Sequence, residues 1–119
     1  MLGEGDRLSD LERTLVLNTI LEATNQRVPL IAGTGASGTH TAIIRSKEAE
    51  KLGVDAVMIA PPHLLKPNDD AIVEYYSQIA KSIHIPIIIQ DEPLTYDVHF
   101  SPDLIRKTLH NRRNRSNKN

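Results

Sequence analysis

The sequence contains no cysteine and no tryptophan, and only 3% of its 119 residues are aromatic. Without cysteine the chain can form no disulfide, thiolate nucleophile or thiolate metal site, a composition that fits a reducing compartment. With so few aromatic rings the core has to rest on Ile, Leu, Val and Ala, which suits helices packed on a buried sheet. We therefore expect an α/β protein.

Long apolar runs are also missing. No stretch approaches the roughly 20 apolar residues that span a bilayer. The amino-terminal MLGEGDRLSD has neither the basic nor the apolar segment of a signal peptide. With 39% hydrophobic and 24% charged residues, the composition is that of an ordinary globular domain. The sequence thus predicts a cytoplasmic domain with no membrane partner.

Acidic residues are missing from the carboxy-terminal segment 106–119, which carries six of the 14 Lys and Arg residues, while all 15 acids precede it. Residues 110–119, HNRRNRSNKN, show no apolar periodicity and predict a basic, disordered tail. No aromatic side chain accompanies these bases, and the rest of the chain is acidic. Nucleic acid is therefore not an expected partner.

Between residues 9 and 109, short apolar runs alternate with amphipathic segments. The runs 28–33, 54–62 and 85–93 have the composition of buried parallel strands. The helical segments are bounded by recognisable capping residues: Ser9 with Glu12, Ser37 or Thr39, Gly53, Asn68, and Ser101 with Pro102. The order α-β-α-β-α-β-α predicts parallel strands joined by right-handed crossovers. It fits a doubly wound sheet or an arc of a (β/α)8 barrel, which in full takes about 250 residues.

Residues 33–38, the glycine loop, read GTGASG, which is the spacing of a dinucleotide-binding turn. Such a turn also requires an acid at the end of the next strand to hold the ribose hydroxyls. That strand ends in MIAPP, without an acid. The preferred interpretation is that Gly33 and Gly35 allow a tight turn at a crowded rim, with Gly38 beside a helix start. A small nucleotide-binding α/β domain is kept as an alternative.

Polar residues that follow the strands are candidates for a site, because sites in parallel α/β proteins lie at the carboxyl ends of strands. Asp91, Glu92, Asp97 and His99 follow the third strand and carry enough ligand atoms for a divalent metal. Their spacing matches no metal motif, so a polar loop is the preferred interpretation and no metal is predicted. His63, after the second strand, is a weak candidate for a general acid or base.

Taken in order, these segments resemble the dihydrodipicolinate synthase and N-acetylneuraminate lyase family of class I aldolases. The segment LGEGDRLSDLER is similar to the one that follows the family's second barrel strand, and VPLIAGTGASGTHTAI is similar to its third strand and loop. GVDAVMIAPP and IPIIIQDEPLTYDV are similar to its fourth and fifth strands. The resemblance implies a partial (β/α)8 TIM barrel over residues 1–109, from the end of the second strand through the fifth helix, with about three parallel strands and alternating helices.

The resemblance also implies an activity, which is carbon–carbon bond formation or cleavage at a keto acid such as pyruvate. The family uses a Schiff base on a lysine of the sixth strand and no cofactor. Of its substrate-binding motif this sequence matches Gly3 and Glu4, while Gln90 occupies the position of the proton-relaying tyrosine. None of the six lysines falls within a predicted strand: Lys47, Lys51, Lys66, Lys81, Lys107 and Lys118. No catalytic residue is therefore assigned, and we expect a fragment that is inactive alone.

A sheet of only three strands leaves two edges and apolar surface uncovered, which favours association. We therefore expect self-association through exposed barrel edges. The corresponding alternative function is a non-catalytic module that completes the barrel of another chain.

Overall fold

A computed structural model describes residues 4–62 and 66–116, with the side chains up to His110. The elements in chain order are a 3-10 helix Gly5–Arg7, α1 Asp10–Thr24, β1 Ile31–Gly33, α2 Thr39–Leu52, β2 Ala56–Ile59, α3 Asp69–Ser82, β3 Ile87–Ile89, α4 Pro93–Tyr96 and α5 Pro102–Ser116. The alternation of helix and strand follows the predicted order. The 3-10 helix and α4 are additions that the sequence pattern did not predict.

The three strands form one parallel sheet in the order β1-β2-β3. Ala32 lies opposite Val57, which in turn lies opposite Ile87. This arrangement confirms the prediction of parallel neighbours joined by helices. The strands are shorter than the apolar runs. Each has a proline near one of its ends, at positions 29, 61 and 86, and proline cannot donate to a sheet ladder.

The core lies between one face of the sheet and the helices α2 and α3. Side chains alternate between the two faces of a strand, and the buried set on this side includes Ala32, Val57 and Ile59. Helix α3 contributes Ile72 and Ile79, which are 2% and 0% exposed. Each fully buried aliphatic side chain of this size stabilises the fold by about 1.5–3 kcal/mol relative to exposure.

The opposite face of the sheet is only partly covered. We call it the open face and define it by Ile31, Met58 and Ile88. Met58 is paired with Gly33 of β1 and with Ile88 of β3. Ile31 is two residues before Gly33 and therefore lies on the same side of the sheet. Ile31 is 45% exposed and Ile88 is 36% exposed. The sheet therefore has one face that packs on helices and one that presents apolar side chains outward.

Three of the predicted helix starts are confirmed in their atomic contacts, those of α1, α3 and α5. The Ser9 hydroxyl accepts from the Glu12 N–H at 3.2 Å, and the Glu12 carboxylate accepts from the Ser9 N–H at 2.7 Å, which is a complete capping box. The Asn68 side chain accepts from the Ala71 N–H at 2.8 Å. Such caps satisfy amide groups that have no partner within the helix.

Helix α2 starts differently from the prediction. Its N-cap is Gly38 rather than Ser37 or Thr39, and no side chain caps it. The first amides of this helix are therefore not capped by a side chain. Its end agrees with the prediction, since Gly53 takes a left-handed conformation with φ of 106° and its N–H donates to the carbonyls of the last turn.

The carboxy-terminal segment also differs from its prediction. The sequence predicts disorder from residue 110, whereas α5 continues to Ser116. The Ser101 hydroxyl accepts from the Leu104 N–H at 3.1 Å, and Leu104 and Thr108 are buried. Once these turns are packed, adding a residue to a helix is favourable, and arginine is a good helix former. Within the described part of the chain, no helix is long and apolar enough to cross a membrane.

Candidate functional site

A cleft of about 740 Å³ opens at the carboxyl ends of the three strands. We call it the rim cleft. Its walls come from the 3-10 helix, α1, the glycine loop, the ends of β2 and β3, and α4; they include Gly5, Asp6, Arg13, Gly35, Ala60 and Gln90. Met58 of the open face also lines it. Its position is the one at which parallel α/β proteins bind ligands.

The glycine loop forms one wall of this cleft, and its glycines differ in what they require. A Cβ added to Gly35 would lie 3.3 Å from the Ala60 backbone nitrogen and 3.6 Å from its carbonyl oxygen. A Cβ added to Gly33 would meet nothing within 4 Å. The interpretation of a crowded turn therefore applies at Gly35, where the loop passes against β2, and has no support at Gly33.

Two arginines hold the loop from the side of the cleft. Arg13 of α1 donates to the Gly5 carbonyl at 2.8 Å and to the Gly33 carbonyl at 2.6 Å. Arg45 of α2 donates to the Gly35 carbonyl at 3.3 Å, and its Nε lies 3.6 Å from an Asp10 carboxylate oxygen. Arg13 thus ties the 3-10 helix to the end of β1.

The same two arginines influence each other electrostatically. Burial lowers the pKa of the Arg13 guanidinium, the positive charge of Arg45 lowers it further, and Asp10 and Glu48 act in the opposite direction. The sequence analysis did not single out either arginine. Their loop contacts join residues 20 and 10 positions apart, and no local motif signals such contacts.

Of the two predicted substrate-binding residues, the structure describes one. Gly3 is outside the described residues. Glu4 is exposed, adopts a left-handed φ of 47° and places its carboxylate 3.6 Å from Arg7. The next two residues, Gly5 and Asp6, line the cleft. A substrate-binding role for Gly3 and Glu4 stays a prediction.

Gln90, at the predicted position of the relay tyrosine, lines the cleft directly after β3. Its N–H donates to the Ile59 carbonyl at 2.9 Å, which extends the sheet by one residue. Tyr96 of α4 lines the same cleft and is 7% exposed. Burial raises the pKa of the Tyr96 phenol, and the nearby Glu92 and Asp6 carboxylates raise it further. The cleft therefore does contain a phenol, on a helix that the sequence analysis missed.

The acidic residues after β3 are used in the loop itself. Glu92 accepts a hydrogen bond from the Thr95 hydroxyl at 2.6 Å, and Asp97 pairs with Lys66 at 3.2 Å. Across residues 4–62 and 66–116, no three His, Asp or Glu side chains come together as a metal ligand set. Glu92 and Asp97 are engaged by neighbouring side chains. That Asp91, Glu92, Asp97 and His99 form a polar loop without a metal stays a prediction. His63 lies outside the described residues.

The lysines of the described chain are all exposed: Lys47, Lys51, Lys66, Lys81 and Lys107. Only Lys66 lies near the strand ends, and its side chain is 80% exposed and paired with Asp97. A Schiff-base lysine needs an amine that is unprotonated near neutral pH, which burial in an apolar or cationic pocket provides. Lys66 has no such surroundings.

Parallel strands alternating with helices, with a cleft at the strands' carboxyl ends, define an α/β protein of the class that includes (β/α)8 barrels. Residues 2–114 match the Dihydrodipicolinate synthetase family. The chain belongs to this family.

Similar proteins and solved structures agree with this family assignment. The chain is 32% identical over 105 residues to the 4-hydroxy-tetrahydrodipicolinate synthase of Citrifermentans bemidjiense, covering 88% of this chain and 36% of that protein. The structure of the enzyme of that name from Methylacidiphilum fumariolicum superposes with a TM-score of 0.89 at 31% identity, covering 93% of this chain and 37% of the other. The structure of the dihydrodipicolinate synthase of Acinetobacter baumannii, complexed with pyruvate, superposes with a TM-score of 0.83 at 37% identity. The match covers 86% of this chain and 35% of the other.

These matches confirm that the fold is a partial TIM barrel and that the resemblance stated from the sequence is correct. The 119 residues span little more than a third of the length of the relatives and structures just named. The keto-acid chemistry of such proteins therefore comes to this chain only as a proposal.

Proposed function

We propose that this chain forms one wall of the keto-acid site of a pyruvate-dependent lyase, an aldolase of the dihydrodipicolinate synthetase family. The observation that carries the proposal is the rim cleft, which lies at the carboxyl ends of the strands in a chain of this family. A related structure of the same fold was obtained as a complex with pyruvate. The ligand class is therefore a small 2-keto acid.

The electrostatics of the cleft suit an anion of this kind. Arg13 and Arg45 both line it, and so does Gly38, the N-cap of α2, at the helix end that carries partial positive charge. Asp6 is the one acidic residue among the cleft's described lining residues. A cleft with this excess of positive charge raises the local concentration of a carboxylate ligand.

The chemical step requires groups that the described residues do not supply together. The carbonyl carbon of the keto acid has to be attacked by a lysine amine, and the described lysines are exposed on helices or in a loop. Gln90 can donate and accept hydrogen bonds through its amide but cannot relay a proton as a phenol does. We therefore infer that these 119 residues bind and orient a keto acid without forming a Schiff base on their own.

Two measurements test this proposal. Pyruvate titrated into the isotope-labelled chain should shift amide resonances in the glycine loop, in residues 58–61 and at Gln90; shifts confined to other surfaces, or none, would contradict the keto-acid site. Borohydride reduction in the presence of pyruvate should leave the mass of the chain unchanged. A stoichiometric adduct on any lysine would overturn the inference that no Schiff base forms.

A second candidate function is association, favoured by the apolar surface that the described fold leaves exposed. Leu11 and Leu15 of α1 are 85% and 66% exposed, and the open face adds Ile31 and Ile88. Among the described residues, the outer strands of the sheet are β1 and β3, and their outer edges are different surfaces. Pairing between them is heterologous and gives a ring or an open chain of copies, or completes the barrel of another chain.

Sedimentation velocity over a range of concentrations tests this second function. Association should increase with concentration, and Ile88→Lys on the open face should weaken it. Lys81→Glu, a change on the exposed side of α3, serves as the control for a charge substitution elsewhere. A monodisperse monomer at all concentrations would contradict association.

The nucleotide-binding alternative rests on the spacing of the glycine loop alone.

A further inference from the structure

The first four residues of the glycine loop are each held by a side chain from a helix. A side chain of α1 contacts the first residue, side chains of α2 contact the second and third, and a side chain of α3 contacts the fourth. The four contacts are Arg13 to Gly33, Ser46 to Thr34, Arg45 to Gly35 and Tyr75 to Ala36. A glycine-rich segment has many accessible backbone conformations. Contacts from three helices restrict the backbone conformations of this loop.

We propose that Tyr75 is a positioning residue of the rim cleft, whose hydroxyl fixes the glycine loop by binding both backbone groups of Ala36. The Ala36 N–H donates to the Tyr75 oxygen at 3.3 Å, and the Tyr75 hydroxyl donates to the Ala36 carbonyl at 2.9 Å. The two residues are 39 positions apart in the sequence. One phenol thereby satisfies a backbone donor and a backbone acceptor of the loop.

The surroundings of Tyr75 favour this role. The residue is 2% exposed, so its hydroxyl has little competition from water. Burial raises the pKa of the Tyr75 phenol, while the Ala36 backbone contact and the charge of Arg45 act to lower it. The net shift is upward, and the hydroxyl keeps its donor proton at neutral pH. The loop is thus held by a neutral group across the physiological range.

The loop position matters because Ala36, Ser37 and Gly38 line the cleft. Gly38 is also the N-cap of α2, so the placement of Ala36 sets where the helix's free amides begin. A wall that is fixed before a ligand arrives avoids the entropy cost of ordering on binding. Tyr75 therefore acts on the cleft through the backbone, without touching a ligand itself.

The simpler explanation is that Tyr75 is only a core aromatic residue. The neighbouring Tyr76 allows the two explanations to be separated. It is 3% exposed, its ring packs edge-on against Tyr75 with centroids 5.2 Å apart, and its hydroxyl donates to the Ile59 carbonyl of β2 at 2.8 Å. The two tyrosines match in burial and in bonding to a backbone carbonyl. They differ in the partner of the hydroxyl, which is Ala36 of the loop for Tyr75 and Ile59 of β2 for Tyr76.

The test compares Tyr75→Phe with Tyr76→Phe by amide hydrogen exchange and urea unfolding, without any keto acid. Tyr75→Phe should accelerate exchange in residues 34–38 about tenfold, the factor expected for a lost hydrogen bond of ordinary strength, with β2 unchanged. Tyr76→Phe should leave the loop's exchange unchanged at a comparable loss of global stability. Equal loop exchange in the two variants, or no change in Tyr75→Phe, would overturn the proposal.

A second measurement applies if Tyr75→Phe does not fold. In the unaltered chain, the Tyr75 hydroxyl proton should exchange slowly and show a nuclear Overhauser effect to the Ala36 amide; fast exchange with water would overturn the proposal. The identity of the cleft's ligand rests on the proposed function, and pyruvate titration forms a separate arm. A loop that depends on Tyr75 in a chain that does not bind pyruvate would refute the keto-acid site and leave the positioning role supported.

Discussion

A buried pair of hydroxyl groups beneath the glycine loop offers a quantitative test of how the loop is attached to the core. The hydroxyls of Thr34 and Ser46 lie 2.8 Å apart, and the two residues are 2% and 0% exposed. The Thr34 N–H separately donates to the Met58 carbonyl at 3.2 Å. Thr34→Val therefore removes the hydroxyl while keeping the backbone contact and nearly the same volume.

Each single substitution should lower the free energy of unfolding by more than the net contribution of the hydrogen bond. Thr34→Val leaves the Ser46 hydroxyl buried without this partner, and Ser46→Ala does the same to Thr34, so each should lower the free energy of unfolding by about 1–3 kcal/mol. The double variant has no orphaned hydroxyl. Its loss should be smaller than the sum of the two single losses by about 1 kcal/mol or more, within the range known for residues in contact.

Urea unfolding of the four proteins measures this coupling, provided that the slope of the free energy with urea stays constant across the set. Thr41→Val is a matched control, because Thr41 is an exposed threonine on α2, and its effect should stay within about 0.5 kcal/mol. Losses of the two single variants that add to within about 0.3 kcal/mol would refute the reasoning, since independent sites behave in that way.

Three further expectations follow from burial, capping and titration. Ile59→Ala, at a side chain that is 0% exposed, should lower the free energy of unfolding by about 2–5 kcal/mol, whereas Ile44→Ala, at a side chain 51% exposed, should change it far less. Asn68→Ala should cost about 1 kcal/mol by removing the cap of α3, and Asn18→Ala, on the exposed side of α1, should not destabilise. Burial raises the pKa of the Tyr76 phenol, so the folded chain keeps a proton that the unfolded chain releases above pH about 10. The free energy of unfolding, measured with urea, should therefore fall as the pH rises above about 10. This fall should be smaller in Tyr76→Phe.

The parts of the fold that could be predicted from the sequence are those that local chemistry decides. The capping box of Ser9 and Glu12 involves residues three positions apart, and the apolar spacing of α3 appears within one segment. Short apolar runs predicted the strands, and their alternation with helical segments predicted the parallel order. Family membership followed from the same segments in sequence. These signals need no knowledge of distant contacts.

The parts that could not be predicted depend on contacts between distant segments. Helix α4 has four residues, too few to show a helical period. The N-cap of α2 is Gly38 instead of Ser37 or Thr39, and the loop before it is held by Arg45 and Tyr75, 10 and 39 residues away from their partners. Helix α5, in which Leu104 is buried, extends beyond residue 110. Contacts between segments this far apart in the sequence leave no local pattern from which they could be predicted.

Association that covers the open face would compete with ligand binding in the rim cleft, and this competition can be measured. Strands of parallel sheets are apolar on both sides because both faces are normally covered, yet here Ile31 and Ile88 remain substantially exposed. Met58 belongs to this face and also lines the rim cleft, so a copy that covers the face closes part of the cleft. A ligand that binds only the uncovered form must shift the equilibrium toward it, by an amount set by its concentration relative to its dissociation constant. Saturating pyruvate should therefore reduce the sedimentation coefficient of an associated sample, while acetate, which lacks the keto group, should do so less. An unchanged or increased coefficient, in a sample where pyruvate binding is seen by amide shifts, would show that association uses a surface other than the open face.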